Sequence, residues 1–401
     1  MTDRPRALVI GGSVGGLMAA CLLRQIGWDV AVFEKTPGDL AGRGAGLGLS
    51  SELFGVMRRV GVHLHPSTGV AVSSLLWIDR SGGVVSRLPR PWITGAWSRI
   101  YRPLREAVPD GIVQPGRTVA RVEAEGHGLA LRFADGTRTA GDLVIGADGV
   151  HSTTRRQFLP EIEPRYAGYI AWRGMVEEAT LTQDARALLG DSIAFTFPEG
   201  EMTLSTPIPG FGDDTRDGHR RYYFIWYRPT DAVAELMTDE AGRNHFPAIP
   251  PTAIRASVIA AMKEDARALL PPVLAEIVGR AEQPLLQAVS DLEVPRLVFG
   301  RTALLGDAAF IARPHVAAGI TKAALDAAAL ADALAAEGDV PRALARYERE
   351  RLGFGTALVA YSRALGAASL APAATRDPQR LMREYGAPHL LKDAGAADIS
   401  S

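Results

Sequence analysis

A Leu-Gly-Asp turn late in the chain, within Thr302-Ala-Leu-Leu-Gly-Asp-Ala-Ala309, constrains the fold more than any other stretch. It follows a short apolar run. Past Pro314 the chain enters Gly319-Ile-Thr-Lys322, the head of an Ala-rich segment. The chain opens in a similar way, with Ala7-Leu-Val-Ile10 running into Gly11-Gly-Ser-Val-Gly-Gly16. A third run, Leu143-Val-Ile145, leads into Gly146-Ala-Asp-Gly149. Apolar runs of this kind read as strands buried on both faces, the pattern of a parallel sheet. Three of them, each ending in a glycine-bearing turn, predict an α/β domain built from distant pieces of the sequence.

The first piece is a βαβ opening. Leu17, Ala20, Leu23 and Ile26 recur at helical spacing, Gly27 is placed to stop that helix, and Asp29–Phe33 is a second strand ending at Glu34. The intervening sequence has a different texture. Residues 73–78 and 84–88 flank a turn-rich break and predict an antiparallel hairpin, as do 129–133 and 137–139. Residues 166–230 are rich in aromatic and β-branched residues, notably Tyr222-Tyr-Phe-Ile-Trp-Tyr227. They predict an antiparallel sheet inserted within the first domain. Residues 252–283 read as helical, as do 319–336. Asp339 is placed to cap a last helix with Pro341 in its first turn. The expected organisation is a Rossmann-like nucleotide-binding domain from 1–72, 96–165 and 286–338. A substrate domain spans 73–95 and 166–285, a C-terminal helix 339–371, and a loosely held tail 372–401.

Bulk properties exclude several classes. The chain has 401 residues and a formal net charge of −1, so it lacks the basic footprint of a nucleic-acid binder. No apolar run reaches the length of a membrane span, and residues 1–6 are short and polar. The expectation is a cytoplasmic protein, monomer or homodimer, without nucleic-acid or membrane partners. Its one cysteine, Cys21, cannot form an intrachain disulfide and is expected to pack as a small apolar side chain.

The chemistry lies in the three turns. A tight turn after a strand lets backbone N–H groups and a helix start approach a pyrophosphate, here with Gly11, Ser13, Val14 and Gly16. Glu34 at the end of the second strand is placed to accept ribose hydroxyls, with Lys35 beside an adenine. Asp148 either contacts the same ligand or simply opens an ordinary strand–helix turn. Asp307 ends a buried strand where a polyol hydroxyl can be bonded. The helix start at Gly319, Ile320 and Thr321 carries partial positive charge. At the N1–C2=O edge of a flavin, that charge stabilises the anionic reduced ring.

Taken in this order, the three elements resemble the single-component flavoprotein aromatic hydroxylases, over roughly residues 5–365. Tyr166–Gly174, Pro207-Ile-Pro-Gly210 and Arg313-Pro-His-Val-Ala-Ala-Gly319 are similar to the dihydroxypyridine hydroxylase branch of that family. The resemblance implies a FAD-binding doubly wound domain with an inserted sheet. Electrons come from NADH or NADPH, and O2 is the co-substrate. One oxygen atom passes, through a flavin C4a-hydroperoxide, to a small aromatic or heterocyclic substrate. It further implies FAD contacts at Ser13, Glu34, Val119, Asp148 and Asp307, with Pro314 beside the substrate. Three departures bear on the site. Phe310 follows Gly-Asp-Ala-Ala where His is common. Ala317-Ala-Gly-Ile-Thr321 replaces Gly-x-Gly-x-Asn. Tyr101 stands where an Arg usually contacts FAD. Arg99 and Arg102 lie nearby, and Arg43 is a second candidate for the pyrophosphate.

The substrate side is less determined. His315 is either a substrate or proton-relay residue or a structural histidine. Tyr223, Trp226, Thr203 and Ser205 lie on strands whose alternation sends about half of them toward a pocket. Trp172 and Arg173 are placed at a domain junction. The alternatives to hydroxylation are Baeyer–Villiger-type oxygenation with ring opening or expansion, a flavin dehydrogenase or oxidase, and a FAD-holding sensor.

Overall fold

The computed structural model describes residues 4–40, 46–64 and 68–386. Arg43 and the chain beyond Gly386 lie outside the described residues.

The three apolar runs become adjacent parallel strands. Thr302–Leu304, Leu143–Gly146, Arg6–Ile10 and Asp29–Glu34 lie side by side, with Leu8 opposite both Val144 and Ala31, and Val144 opposite Thr302. Val113–Pro115 extends the sheet in parallel beyond Asp29–Glu34. Val298–Phe299 closes the other edge antiparallel, for six strands in all. Because the four central strands run the same way, the turns at Gly11, Gly146 and Gly306 emerge on one carboxyl edge. That edge is where open α/β sheets bind ligands.

Glycine is required at the first turn. Gly11 has φ +107°, and a Cβ on Gly16 would sit 1.9 Å from the Gly11 carbonyl oxygen. The helix that follows, Val14–Gln25, packs beside the helix Gly319–Ala336 through small residues. A Cβ at Gly15 would meet Leu305 at 2.9 Å and Ala323 at 3.2 Å. A three-stranded sheet, 119–141, covers the other face, where Leu8, Ile10 and Phe33 meet Val119 and Phe133.

The second body is a nine-stranded sheet. Its central strands, Arg165–Glu177, Arg221–Pro229 and Met202–Ile208, pair antiparallel, while Ser192–Thr196 pairs parallel with Val70–Ile78. Its two edge strands, Gly46–Leu49 and Phe310–Ile311, belong to the segments that build the parallel sheet. Alternation gives the sheet two faces. Trp172, Tyr222, Phe224 and Trp226 pack beneath the helices Ala256–Leu269 and Pro272–Arg280. Tyr223, Ile225 and Tyr227 take the opposite face.

Asp339 caps the helix Val340–Ser369, its side chain accepting the Arg342 N–H at 3.3 Å. Phe310 is buried against this helix at Gly355, where a Cβ would lie 2.3 Å from its ring. An apolar residue therefore fits where the family pattern has His. Burial pushes the Cys21 thiol up to about 11, which leaves it protonated. Among the described residues no helix is long and apolar enough to cross a membrane.

The expected loose tail is corrected as far as Gly386. Asp377 caps a short helix, Pro378–Glu384, whose Leu381 and Met382 are buried. Ahead of it, the Arg376 guanidinium donates to the carbonyls of Phe197, Pro198, Glu201 and Ser369 at 2.7–3.3 Å. An Ala- and Pro-rich composition conceals a cap, an anchoring Arg and a short apolar stripe. Arg376→Ala should release this segment. Losing charge-assisted bonds worth about 1.5–3 kcal/mol should make local opening roughly tenfold or more populated. Limited trypsin digestion should then cut at Arg380 and Arg383 while the remainder stays intact. Unchanged cutting would show that this side chain does not hold the tail.

Candidate active site

The first turn and Glu34 are locked together. The Glu34 carboxylate accepts the Gly12 N–H at 2.9 Å through Oε2 and the Thr36 N–H at 2.8 Å through Oε1. Each oxygen keeps lone-pair capacity. At the head of the first helix, Ser13 makes no side-chain cap bond and the first turn holds no acid. Its N–H groups therefore present partial positive charge to whatever lies at that edge. Glu34 and Gly12 line a hollow of about 540 Å³ with Tyr101, Arg102 and Arg105. Tyr101 stacks on Trp97, with ring centroids 4.6 Å apart. Of the other expected cofactor residues, Val14 and Val119 are core side chains, and Lys35 is exposed outside this lining.

At the second turn Asp148 is engaged within its own turn, the second of the two readings of this residue. Its carboxylate is taken up locally, accepting the Ser152 hydroxyl at 2.6 Å, the Thr154 N–H at 3.0 Å and the Thr154 hydroxyl at 3.1 Å. It lines neither hollow. The side chain serves its own strand–helix turn. The residue that reaches outward is Arg155, fully buried, which donates to the Val150 carbonyl at 2.8 Å and the Ala308 carbonyl at 3.2 Å. It ties the second turn to the third. Its role has no signature in the sequence, because backbone carbonyl partners leave no motif.

The third turn carries Asp307 on a cavity of about 330 Å³. Among the described residues nothing donates a hydrogen bond to this carboxylate, and burial pushes its carboxyl above the ordinary carboxylate range. Behind it lies a buried charge cluster. Asp326 accepts the Gly306 N–H at 3.1 Å, the Lys322 ammonium at 3.2 Å and the Arg351 Nε at 2.9 Å. Burial alone would raise the Asp326 carboxyl. The Lys322 and Arg351 charges outweigh that and hold it below the ordinary range. Gly319 and Ile320 face the cavity from a helix start without a side-chain cap. Thr321 does not. Its hydroxyl, 3.1 Å from that of Ser50, is buried behind the wall.

The inserted sheet forms the opposite wall. Tyr223, Ile225 and Tyr227 alternate into the cavity, with Thr206, Gln287 and Arg173 from neighbouring strands. Trp226 faces away and donates to Glu201 at 2.7 Å, and Thr203 and Ser205 share its face by alternation. Arg173, expected at a junction, is a wall residue. Trp92, Trp97 and Tyr385 complete the enclosure and were not foreseen. The signal for Tyr385 was present: Asp377-Pro378 opens a helix that sets Leu381 and Tyr385 at i, i+4 spacing.

Pro314 lines the cavity, but His315 does not. Its Nε2 lies 3.0 Å from the Tyr169 hydroxyl, and its ring stacks on Tyr227 with centroids 4.0 Å apart. Burial first, and then the Arg313 charge, lower its pKa to about 3, so it stays neutral. Of the two roles read for His315, its placement fits the structural one: it backs the wall that Tyr227 presents.

A parallel sheet with three turns on one edge, facing an inserted sheet across a cavity, is the architecture of a dinucleotide-binding domain carrying an inserted substrate sheet. Comparisons with known proteins narrow it. A "FAD binding domain" family model matches residues 275–362, and a "FAD binding domain-like" model matches 166–291. The chain is 32% identical over 356 residues to 2,6-dihydroxypyridine 3-monooxygenase of Paenarthrobacter nicotinovorans, covering 88% of each chain. It is 28% identical to 6-hydroxynicotinate 3-monooxygenase of Pseudomonas fluorescens, again over 88% of each. The solved 2,6-dihydroxypyridine-3-hydroxylase of Arthrobacter nicotinovorans superposes with a TM-score of 0.87 at 30% identity, covering 94% of this chain and 95% of that one. The chain belongs to the FAD-dependent aromatic hydroxylases, monooxygenases that use FAD, NAD(P)H and O2.

Asp326→Leu leaves two buried cations without their carboxylate and frees the Gly306 N–H, so it should cost about 3–5 kcal/mol in urea unfolding. A loss under ~1 kcal/mol would show that the cluster is not a structural anchor. His315 is neutral in the fold and protonates with an ordinary pKa of 6.5 when unfolded. Its contribution is therefore fully present above pH 6.5 and lost as pH falls toward 3. The stability gap between wild type and His315→Gln should shrink by about 1–2 kcal/mol between pH 7 and pH 5. A gap that holds constant would mean that His315 titrates alike in the folded and the unfolded chain.

Proposed function

We propose that this chain uses its cavity to hold a small aromatic or N-heterocyclic ring and inserts one oxygen atom of O2 into it at the expense of NAD(P)H. One observation carries the reading. A single cavity has Asp307 and the helix start at Gly319 on one wall and an aromatic sheet face on the other. The relatives' names support it, since each specifies a substituted ring: 2,6-dihydroxypyridine, 6-hydroxynicotinate, 3-amino-4-hydroxybenzoate and urate.

The residues present suit FAD. An uncapped helix start at Ser13 offers N–H donors for the pyrophosphate, with Arg102 at the hollow beside it. Glu34 has lone pairs left for both ribose hydroxyls. The half-buried, unpartnered Asp307 carboxylate would accept a ribityl hydroxyl, which supplies the hydrogen bond that burial denies it. The Gly319 and Ile320 N–H groups would face the N1–C2=O edge. When bound, FAD accepts hydride from NAD(P)H and activates O2. The chain's own part is positioning and exclusion of water. Trp92, Trp97 and Tyr385 close the cavity with apolar surface. Burial raises the Tyr223 phenol, which stays protonated and serves as a donor to a ring oxygen or nitrogen, not as a base. No histidine lines the cavity among the described residues.

Asp307→Ala should purify mostly as apoprotein, read from flavin absorbance; near-full occupancy would overturn the ribityl role. Glu34→Ala should weaken FAD roughly 10-fold or more, about what a lost charge-assisted pair costs. Unchanged retention would remove it from the ribose site. The function itself is tested by NADH and NADPH oxidation with hydroxypyridines, phenols and bicyclic lactams under ¹⁸O₂. One labelled atom should appear on an intact ring. Insertion into a ring C–C bond, or flavin reduction by substrate alone, would overturn hydroxylation.

A further inference from the structure

We infer that the ring this enzyme takes carries an anionic group, a carboxylate or an ionised ring hydroxyl, and that Arg173 binds it, with Tyr385 of the C-terminal segment beside it. The inference rests on the reading that the cavity holds an aromatic substrate.

Arg173 sits at the middle of the strand Arg165–Glu177, and alternation separates it from its neighbour Trp172. Trp172 packs beneath the helices, and Arg173 faces the cavity. Among the described residues its guanidinium makes no ion pair and no hydrogen bond, and its Nε is buried without a partner. Single nitrogens of other arginines, such as Arg351 Nη2 and Arg376 Nε, are also buried without a partner, but each of those guanidinium groups is held by other bonds. Arg220 meets Glu178 at 2.6 Å, Arg351 meets Asp326 at 2.9 Å, and Arg155 donates to three carbonyls. The second arginine of the cavity wall, Arg313, is paired with Asp291 at 2.8 Å. Of the two arginines that line the cavity, Arg173 is the one whose guanidinium has no partner among the described residues. A partly buried, unpaired cation is costly unless a ligand supplies the counter-charge.

The surroundings select an anion. Asp307, the only carboxylate among the described lining residues, lies on the other wall, in the turn that faces the sheet. Arg173 lines the same cavity as Tyr223, Tyr227 and Tyr385. Burial keeps those phenols protonated, so this end of the cavity offers donors, among them the buried and unpartnered Tyr227 hydroxyl. A carboxylate or phenolate has several lone pairs to receive them. A neutral ring would leave the guanidinium unsatisfied. Tyr385 is held in place from behind. Its ring meets Trp92 and Phe195 edge-on at 6.0 and 5.4 Å, and Arg90 donates to the Met382 and Arg383 carbonyls at 3.2 Å.

The test reads binding to the oxidised, FAD-loaded enzyme by perturbation of flavin absorbance, without NAD(P)H and without turnover. Matched probes are 6-hydroxynicotinate against 6-hydroxynicotinamide and 4-hydroxybenzoate against 4-hydroxybenzamide for the carboxylate. For the ionised hydroxyl the pair is 2,6-dihydroxypyridine against 2,6-dimethoxypyridine. In at least one pair the acid should bind wild type about tenfold or more tightly than its neutral partner, and Arg173→Met should abolish that preference by weakening the acid roughly 10- to 100-fold. Arg173→Lys should restore part of it, and Tyr385→Phe should weaken the acid by only a few-fold. FAD content should be unchanged in all three variants. The inference is overturned if no pair favours the acid, if Arg173→Met weakens acid and neutral probes alike, or if it empties the flavin site. Acid binding that depends on Arg173 without ligand-stimulated NAD(P)H oxidation would keep the anion site and reject the proposed function instead.

Discussion

The site depends on a carboxylate buried between two cations. Asp326 holds Lys322 from its own helix and Arg351 from the next, and with its remaining capacity takes the Gly306 N–H. A lone carboxylate there would be driven to protonate. Two cations keep it charged, and a charged acceptor fixes a backbone N–H more firmly than a neutral one. The turn that carries Asp307 is thereby set by residues that never touch the cavity. Arg155 adds a second tie, joining the same turn to the one at Asp148 through the Ala308 carbonyl. Two separate devices thus fix the geometry of a short loop on which a cofactor's position would depend.

The other wall follows a different logic. One strand sequence, Tyr222-Tyr-Phe-Ile-Trp-Tyr227, supplies both a packed core and a ligand surface by sending alternate residues to opposite faces. Tyr222, Phe224 and Trp226 anchor the sheet beneath helices. Tyr223, Ile225 and Tyr227 are then free to be chosen for what they meet. His315 belongs to the support, since its ring backs Tyr227 from outside the cavity.

Much of the scaffold was legible because its signals are local. The Gly11–Gly16 turn, the helix over 319–336 and the Asp339 cap each rest on a few adjacent residues whose backbone needs are specific. What stayed hidden depends on long-range facts. Alternation divides a strand into two faces but does not say which face borders the cavity, so Arg173 and Tyr223 were indistinguishable in kind from Trp172 and Trp226. Asp148 reads identically whether it bonds a ligand or its own Thr154. The tail looked loose because Ala and Pro dominate it, while its anchor, Arg376, binds carbonyls of residues far away in sequence. A free cation in the wall is recognised only when the wall's other arginine, Arg313, is found already matched to Asp291.

The nine-stranded sheet begins at Gly46–Leu49 and ends at Phe310–Ile311, both borrowed from the nucleotide-binding segments. Those borrowed strands occupy the outer hydrogen-bonding rows of the inserted sheet, which would otherwise be open to pairing with another chain. The insertion is therefore not a cassette. Excised and expressed alone, it would carry two raw edges and a half-exposed aromatic face, and self-association would follow. Recombination between relatives faces the same constraint: crossovers that exchange the sheet without its two borrowed strands separate each edge from the partner that covers it.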